Sequence, residues 1–377
     1  MTVSSFNHVQ ICAMKTVIPD QCICIDDELK YFDNNLKKLA RAKKMIGYGN
    51  RYVADELTTV TDMAVDAAEK LFAEMPFNRD EIDALIFVNQ KPDYKEPNDA
   101  CIAHGRLGLS KTCAAIPVVL GCSGYIYGLW LAHSLIEAGA SKKCLLLAGD
   151  VPSRVCNAEN RKTAPLFGDA ASATLLQRQE KKERFSYFSL GCDGSGWDKL
   201  IVPFGGTRLP IQKDVIDLQL SDSLGNKWGI HDSMMKGEDV FNFTMDVVPT
   251  LIKETMKAAN WTTDDVDLVA VHQANKQIVE NIVSKAEIPQ EKAPVHVFSK
   301  YGNNSTNSVV TVLCDQEKSL QKVLLCAFGI GLSWGAAAVD LSEMYNGGIS
   351  VYIPPKDRPA REQQIQHWMS YFKGEEE

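Results

Sequence analysis

DEIDALIFVNQ, residues 80–90, recurs in outline as DDVDLVAVHQ, residues 264–273. Each copy opens on an acidic turn and runs into a short apolar stretch of the kind that forms a buried strand. Each also follows an amphipathic stretch of helical period, 59–75 in one case and 239–259 in the other. A second pair keeps the same order. CLLLAGD (144–150) precedes FGDAASATLLQ (167–177), and KVLLCAFGIG (322–331) precedes LSWGAAAVDL (332–341). Both pairs are offset by about 180 residues, which marks a duplicated unit related by a pseudo-twofold. Strands alternating with helices imply parallel βαβ units in a layered α/β fold. The expected division is a first half over 1–180, connecting loops over 181–236, a second half over 237–343 and an extension over 344–377. The connecting stretch holds Gly-rich turns, GCDGSGWDK and PFGGTRLP, of the kind that covers a site.

Composition narrows the function classes. At 377 residues, with 45% hydrophobic and 23% charged content, the chain supports a sizeable core and an ordinary soluble surface. A net charge of −8 argues against a nucleic-acid partner, because phosphate binding needs a basic surface. The opening MTVSSFNHVQICAMKTVIP lacks the basic start and unbroken apolar run of a signal peptide. No stretch of about 18 apolar residues could span a bilayer. A cytoplasmic protein without a membrane partner is expected. The eleven cysteines form no disulfide framework and read as reduced thiols, with Cys144 and Cys326 in the core. Cys22 and Cys24 form a CxC with no second ligand pair, so no metal site is expected.

Three residues stand out chemically. In IPVVLGCSGYIYGLWLAHSLIEAG (116–139) a strand leads through Gly121 into a helix, which sets Cys122 at the junction. Helix-start N–H groups favour a thiolate there and offer donors to an oxyanion. Gly121 and Gly124 allow close approach of a ligand to the backbone. His272 ends the second-half strand, where the first half has Val88, and strand ends are where α/β folds place reacting groups. Asn303 lies in SKYGNNSTNSVVTVL, a turn that internal symmetry sets opposite the Cys122 turn. Singly, each has a bland alternative: a core thiol, a satisfied histidine, a helix N-cap.

Together, GCSGYIYG, HQAN, YGNNS and CAFGIGLSWGAAAV resemble the ordered motif set of the β-ketoacyl-acyl carrier protein synthase III family, within the thiolase superfamily. The resemblance covers residues 5–341. It implies a thiolase-like fold with duplicated halves in a five-layer αβαβα arrangement. It implies an acyltransferase whose Cys122 takes an acyl group from coenzyme A. His272 and Asn303 then bind a malonyl thioester, on acyl carrier protein in the family, for decarboxylative Claisen condensation to a β-ketoacyl product. Backbone N–H groups of Cys122 and Ile330 correspond to the oxyanion donors, and Arg161, Gly237, Phe241 and Asn275 to coenzyme contacts. No tightly bound cofactor is implied; a homodimer is, with a place in fatty acid, polyketide or secondary metabolism.

Three positions depart from the family pattern. The tryptophan that stacks on adenine has no counterpart in DDELKYFDNNLKKLARAKKMIGYGN. Gln277 replaces an arginine that docks the carrier protein, with Lys276 beside it. Glu96, in KPDYKEPNDA, replaces an apolar residue that enters the partner subunit's acyl pocket. Glu96 has two readings: a solvent-facing group paired with Lys91 or Lys95, or a base in the partner's site. The second resembles non-decarboxylative head-to-head condensation, and acyl transfer to a small acceptor on the same cysteine is a further alternative. In the extension, Ile365, Trp368, Met369 and Phe372 fit one face of a short helix ahead of an acidic end.

Overall fold

The computed structural model describes residues 1–181 and 185–374. The acidic end at 375–377 and residues 182–184 of the connecting stretch lie outside the described residues. Two sheets carry the core. In chain order their strands are β1 (Thr2–Phe6), β2 (Val9–Ile18), β3 (Ala84–Asn89), β4 (Ala114–Val119), β5 (Lys143–Asp150), β6 (Ala170–Arg178), β7 (Ser186–Cys192), β8 (Leu268–Val271), β9 (Lys322–Gly329), β10 (Ser333–Asp340) and β11 (Tyr345–Val351). The first sheet runs β11-β2-β6-β5-β3-β4 and the second β1-β7-β10-β9-β8.

The duplication is visible in the pairing. The order β3-β5-β6-β2 recurs as β8-β9-β10-β7, parallel at the first contact and antiparallel at the next two. Register supports the equivalence of Val88 and His272. Ala84 pairs with Cys144 and Leu268 with Val323, so both residues stand four positions beyond the first rung. The expected parallel units are present where β3 pairs with β4 and β5 and where β8 pairs with β9, within sheets that are otherwise mixed. Only the Ile330–Leu332 link joins β9 to β10, and a parallel crossover needs a dozen residues or more.

The helices are α1 (Leu36–Ile46), α2 (Val60–Glu74), α3 (Asp99–Arg106), α4 (Gly124–Glu137), α5 (Gly237–Ala258), α6 (Lys276–Lys285), α7 (Val297–Tyr301), α8 (Ser308–Cys314) and α9 (Arg361–Lys373). A capping box between Thr59 and Asp62 starts α2. Met63, Ala67 and Leu71 of that helix pack on Leu85, Phe87 and Leu147, the outer face of the first sheet. Alternate strand residues point inward: Ile86 and Leu146 meet Tyr125, Leu129, Val309 and Leu313 of α4 and α8, which lie between the sheets. Sandwiching explains why α4 reads apolar on nearly every side. Val248, Ile252 and Val279 of α5 and α6 cover Val269 and Leu324 on the second sheet's outer face. The result is five layers, αβαβα.

Three strands move the expected boundaries. β7 lies inside the 181–236 stretch, yet is paired on both sides with β1 and β10. β1, at the start of the first half, belongs to the second sheet. β11, from the extension, pairs with β2 in the first. The extension then forms α9, whose Trp368 ring meets Tyr94 edge-on at 6.2 Å, while Ile365, Met369 and Phe372 stay exposed. β4 closes the first sheet as an edge strand, and its Val119 is 66% exposed.

Candidate active site

The strand-to-helix junction places Cys122 between β4 and α4, in the turn that precedes Gly124. Its thiol keeps some access to a cavity of about 70 Å³, lined by Lys91, Asp150, Val155, Phe167, Leu200 and Ile330 among others. Protein atoms otherwise surround it. Burial, reinforced by the Asp150 carboxylate, pushes the thiol up to about 11. This corrects the expectation of a helix-start thiolate in the resting protein: desolvation outweighs the donors. Those donors are nevertheless present, since the backbone N–H groups of Ile330 and of Cys122 itself reach the sulfur.

The glycines serve packing more than ligand approach. A Cβ on Gly124 would sit 2.7 Å from Val88 Cγ1, and one on Gly121 would sit 2.6 Å from Ile330 Cγ2. Gly329, where β9 ends, meets the nucleophile itself: a Cβ there would lie 2.9 Å from Cys122 Sγ. The chain at the end of β9 therefore runs directly past the sulfur.

That same segment reaches His272. The Phe328 ring lies edge-on to the imidazole, with centroids 5.4 Å apart. His272 sits one residue past β8, and its backbone N–H donates to the Cys326 carbonyl at 2.8 Å. Burial lowers the imidazole to about 3, so the ring is neutral at physiological pH. Its Nδ1 has no hydrogen-bond partner among the described residues.

Asn303 is linked to Cys122 through Ser305. Its backbone bridges Phe167 in the neighbouring turn, donating to Leu166 O at 2.9 Å and accepting from Gly168 N at 3.2 Å. Its side-chain Oδ1 accepts from Ser305 N at 2.9 Å, which leaves the amide NH2 for another acceptor. Ser305 Oγ is 4.0 Å from Cys122 Sγ. Two routes thus converge on the thiol, His272–Phe328–Gly329 and Asn303–Ser305.

The remaining expected residues lie farther out. Arg161 donates to Asp33 Oδ1 at 3.0 Å and to Leu224 O at 2.7 Å, beside a surface depression that also includes Lys30 and Asn226. Gly237 and Phe241 stand in the first turns of α5. Asn275 caps α6, accepting from Ile278 N at 2.9 Å. Glu96 is exposed in the loop after β3, and none of the described ion pairs joins it to Lys91 or Lys95.

Sequence reasoning passed over Asp150 and Thr306. Asp150 is fully buried at the end of β5, and burial raises its carboxyl above the ordinary range. Thr306 Oγ1 lies 2.6 Å from its Oδ2, 3.0 Å from Gly121 O and 3.2 Å from Leu120 O. One signal was available: a carboxylate closing the apolar run CLLLAGD has no solvent in which to rest.

The five-layer fold with a cysteine at the start of a central helix defines the condensing-enzyme class of the thiolase superfamily. Family models for 3-oxoacyl-[acyl-carrier-protein] synthase III match residues 118–194, and for its C-terminal part residues 256–341. A putative 3-oxoacyl-[acyl-carrier-protein] synthase 3 of Campylobacter jejuni is 36% identical over 93% of this chain and 99% of its own. A β-ketoacyl-[acyl-carrier-protein] synthase III of Caldanaerobacter subterraneus is 30% identical over 79% and 88%. The crystal structure of a 3-oxoacyl-(acyl-carrier protein) synthase from Burkholderia xenovorans superposes with a TM-score of 0.83 at 32% identity, covering 93% of this chain and 99% of that one. The chain belongs to the 3-oxoacyl-[acyl-carrier-protein] synthase III family and is a ketosynthase-type transferase.

Proposed function

We propose that this protein joins an acyl group carried on Cys122 to a malonyl unit on acyl carrier protein, by decarboxylative Claisen condensation. The observation that carries the reading is the convergence of the His272 and Asn303 routes on a cavity-facing thiol flanked by backbone N–H donors. In the first step Cys122 Sγ attacks the carbonyl of an acyl-coenzyme A. The N–H groups of Cys122 and Ile330 hold the oxyanion, the acyl–coenzyme bond breaks, and the thiol proton leaves with the coenzyme thiol.

In the second step the malonyl thioester carbonyl accepts from His272 Nε2–H and the Asn303 amide. The carboxylate leaves as carbon dioxide, and the electron pair of that bond becomes an enolate held by the two donors. The enolate carbon attacks the acyl-cysteine carbonyl, and Cys122 departs as thiolate and regains a proton. A neutral imidazole suits this work, because it donates without needing to titrate.

Arg161 and Lys30 supply charge for the coenzyme's nucleotide end, Gly237 and Phe241 a wall for pantetheine, and Asn275 a further contact. The exposed edge of β4 supports a homodimer, since an unpaired apolar strand edge is a pairing surface. Among the described residues no helix is long and apolar enough to cross a membrane, and no disulfide joins the cysteines, which fits a reducing cytoplasm. The alternative, condensation without decarboxylation using Glu96 of a second copy as base, differs in one readout. Carbon dioxide released from malonyl thioester in step with product supports the reading, and full turnover without it overturns the reading.

A further inference from the structure

The two backbone donors at the Cys122 sulfur come from segments far apart in sequence, and a pair of buried hydroxyls joins those segments. Ser333, the first residue of β10, donates from Oγ to the Ile330 carbonyl at 2.7 Å. The same oxygen lies 2.7 Å from Ser123 Oγ. Because the Ser333 proton goes to Ile330, the Ser123 hydroxyl is the donor between the two serines. Ser123 directly follows the nucleophile, so the bridge runs from the start of α4 to the residue whose N–H reaches the sulfur from the other side.

Ser123 gives up an ordinary role to make this contact. It is the N-cap of α4, where a serine commonly accepts from a backbone N–H of the first turn, yet its side chain makes no cap bond. Ile330 opens the short link between β9 and β10, beyond the last rung of their ladder, Gly329 with Ser333. That link has two other supports. Leu332 exchanges backbone bonds of 2.8 and 3.1 Å with Asp193, and Ile330 Cγ2 packs against Gly121. The first acts two residues away and the second holds only a side chain. The Ser333 hydroxyl acts on the Ile330 backbone itself.

We infer that Ser123 and Ser333 are positioning residues for the oxyanion site, fixing the Ile330 backbone so that its N–H and that of Cys122 converge on one point. The inference rests on the reading of Cys122 as acyl carrier and adds two residues that act through the backbone. Without the bridge the buried Ile330 carbonyl loses a donor, and the link is free to turn the N–H away from the forming oxyanion.

The test separates carbonyl attack from thiol reactivity, since both begin at Cys122 but only acyl transfer builds an oxyanion. Alkylation by iodoacetamide displaces iodide from a saturated carbon and builds none. Loading is read by intact mass on the full chain at saturating acetyl-, isobutyryl- or octanoyl-coenzyme A, whichever loads the natural protein fastest. Alkylation of Cys122 is read by peptide mapping. Ser123→Ala and Ser333→Ala should each slow loading by about 10–10²-fold, the scale of a misplaced reacting group, while alkylation changes by less than about threefold. Ser333→Thr keeps the hydroxyl and should load within about threefold of the natural rate. The double alanine variant should be no slower than the slower single, because the bridge acts as a unit. Should Ser333→Ala fail to fold, the ratio of loading to alkylation in Ser123→Ala decides the matter. Unchanged loading in the alanine variants, an equal fall in loading and alkylation, or a double variant slowed by the product of the singles overturns the inference while the acyl-carrier reading stands. If the natural protein takes no acyl group from any of the three thioesters, the acyl-carrier reading falls and this inference with it.

Discussion

Thr306 Oγ1 lies 2.6 Å from Asp150 Oδ2 in a fully buried contact that ties the Asn303 turn to the strand beneath the nucleophile. The same hydroxyl is 3.0 Å from the Gly121 carbonyl, the residue before Cys122. Both acceptors share the one hydroxyl donor in a three-centre arrangement, and burial raises the Asp150 carboxyl above its ordinary range. The pair is a strut between the two turns that hold the reacting groups.

Replacing Thr306 with valine keeps the shape and removes the strut. Leaving Asp150 and Gly121 O without that hydroxyl should cost about 1–3 kcal/mol of stability. Acyl loading on Cys122 should slow as well, because the turn loses its anchor. Thermal unfolding and loading rates measured on the same sample check both; an unchanged loading rate would show that Thr306 only stabilises the fold.

Cys122 reacts as a thiolate, and its thiol is pushed up to about 11. The reactive fraction therefore grows with pH, and iodoacetamide alkylation of Cys122 should rise about tenfold per unit below that value. Peptide mapping separates this site from the other ten thiols. A rate that levels off near pH 7 would mean that the helix-start donors prevail over burial after all.

His272→Ala and Asn303→Ala should separate the two chemical steps. Neither side chain is assigned to acyl loading, so Cys122 should still form the adduct. Decarboxylation of malonyl thioester should fall by about 10²–10³-fold, the usual effect of losing one donor to a forming oxyanion. Measuring adduct and carbon dioxide separately decides the point.

The buried histidines should erode stability on acidification, against Asp99 and Asp169, whose carboxyls burial raises to about 6 and which act in the opposite sense. Burial depresses two histidines, His133 to about 4 and His272 to about 3. Between those values and the unfolded value near 6.5 these two bind more protons in the unfolded chain, so their share of the stability is lost as pH falls through that window. Each histidine contributes a slope approaching about 1.4 kcal/mol per pH unit. Denaturant midpoints from pH 7 to 4.5 measure it, and His133→Gln should lessen the slope.

Much of the architecture was legible because burial writes itself into composition. Strands covered on both faces need unbroken apolar runs, which is why 80–90 and 264–273 could be matched by eye, and why the duplication followed from order alone. β7 was missed for the converse reason. SYFSLGC is short, sits among charges and gains its burial only from β1 and β10, neither of which is near it in sequence. The mixed pairing was hidden too, since a strand's direction depends on the length of its connection rather than its side chains.

Sequence by itself marked Cys122, His272 and Asn303 as candidates, because motif order and a polar residue at a strand end are properties of the chain. Tertiary structure decided what surrounds them. The pKa of the thiol is set by burial and by Asp150, 28 residues on. The packing role of Gly124 depends on Val88. Desolvation and hydrogen-bond commitment are sums over neighbours, and neighbours are assigned only when the two sheets close on α4 and α8.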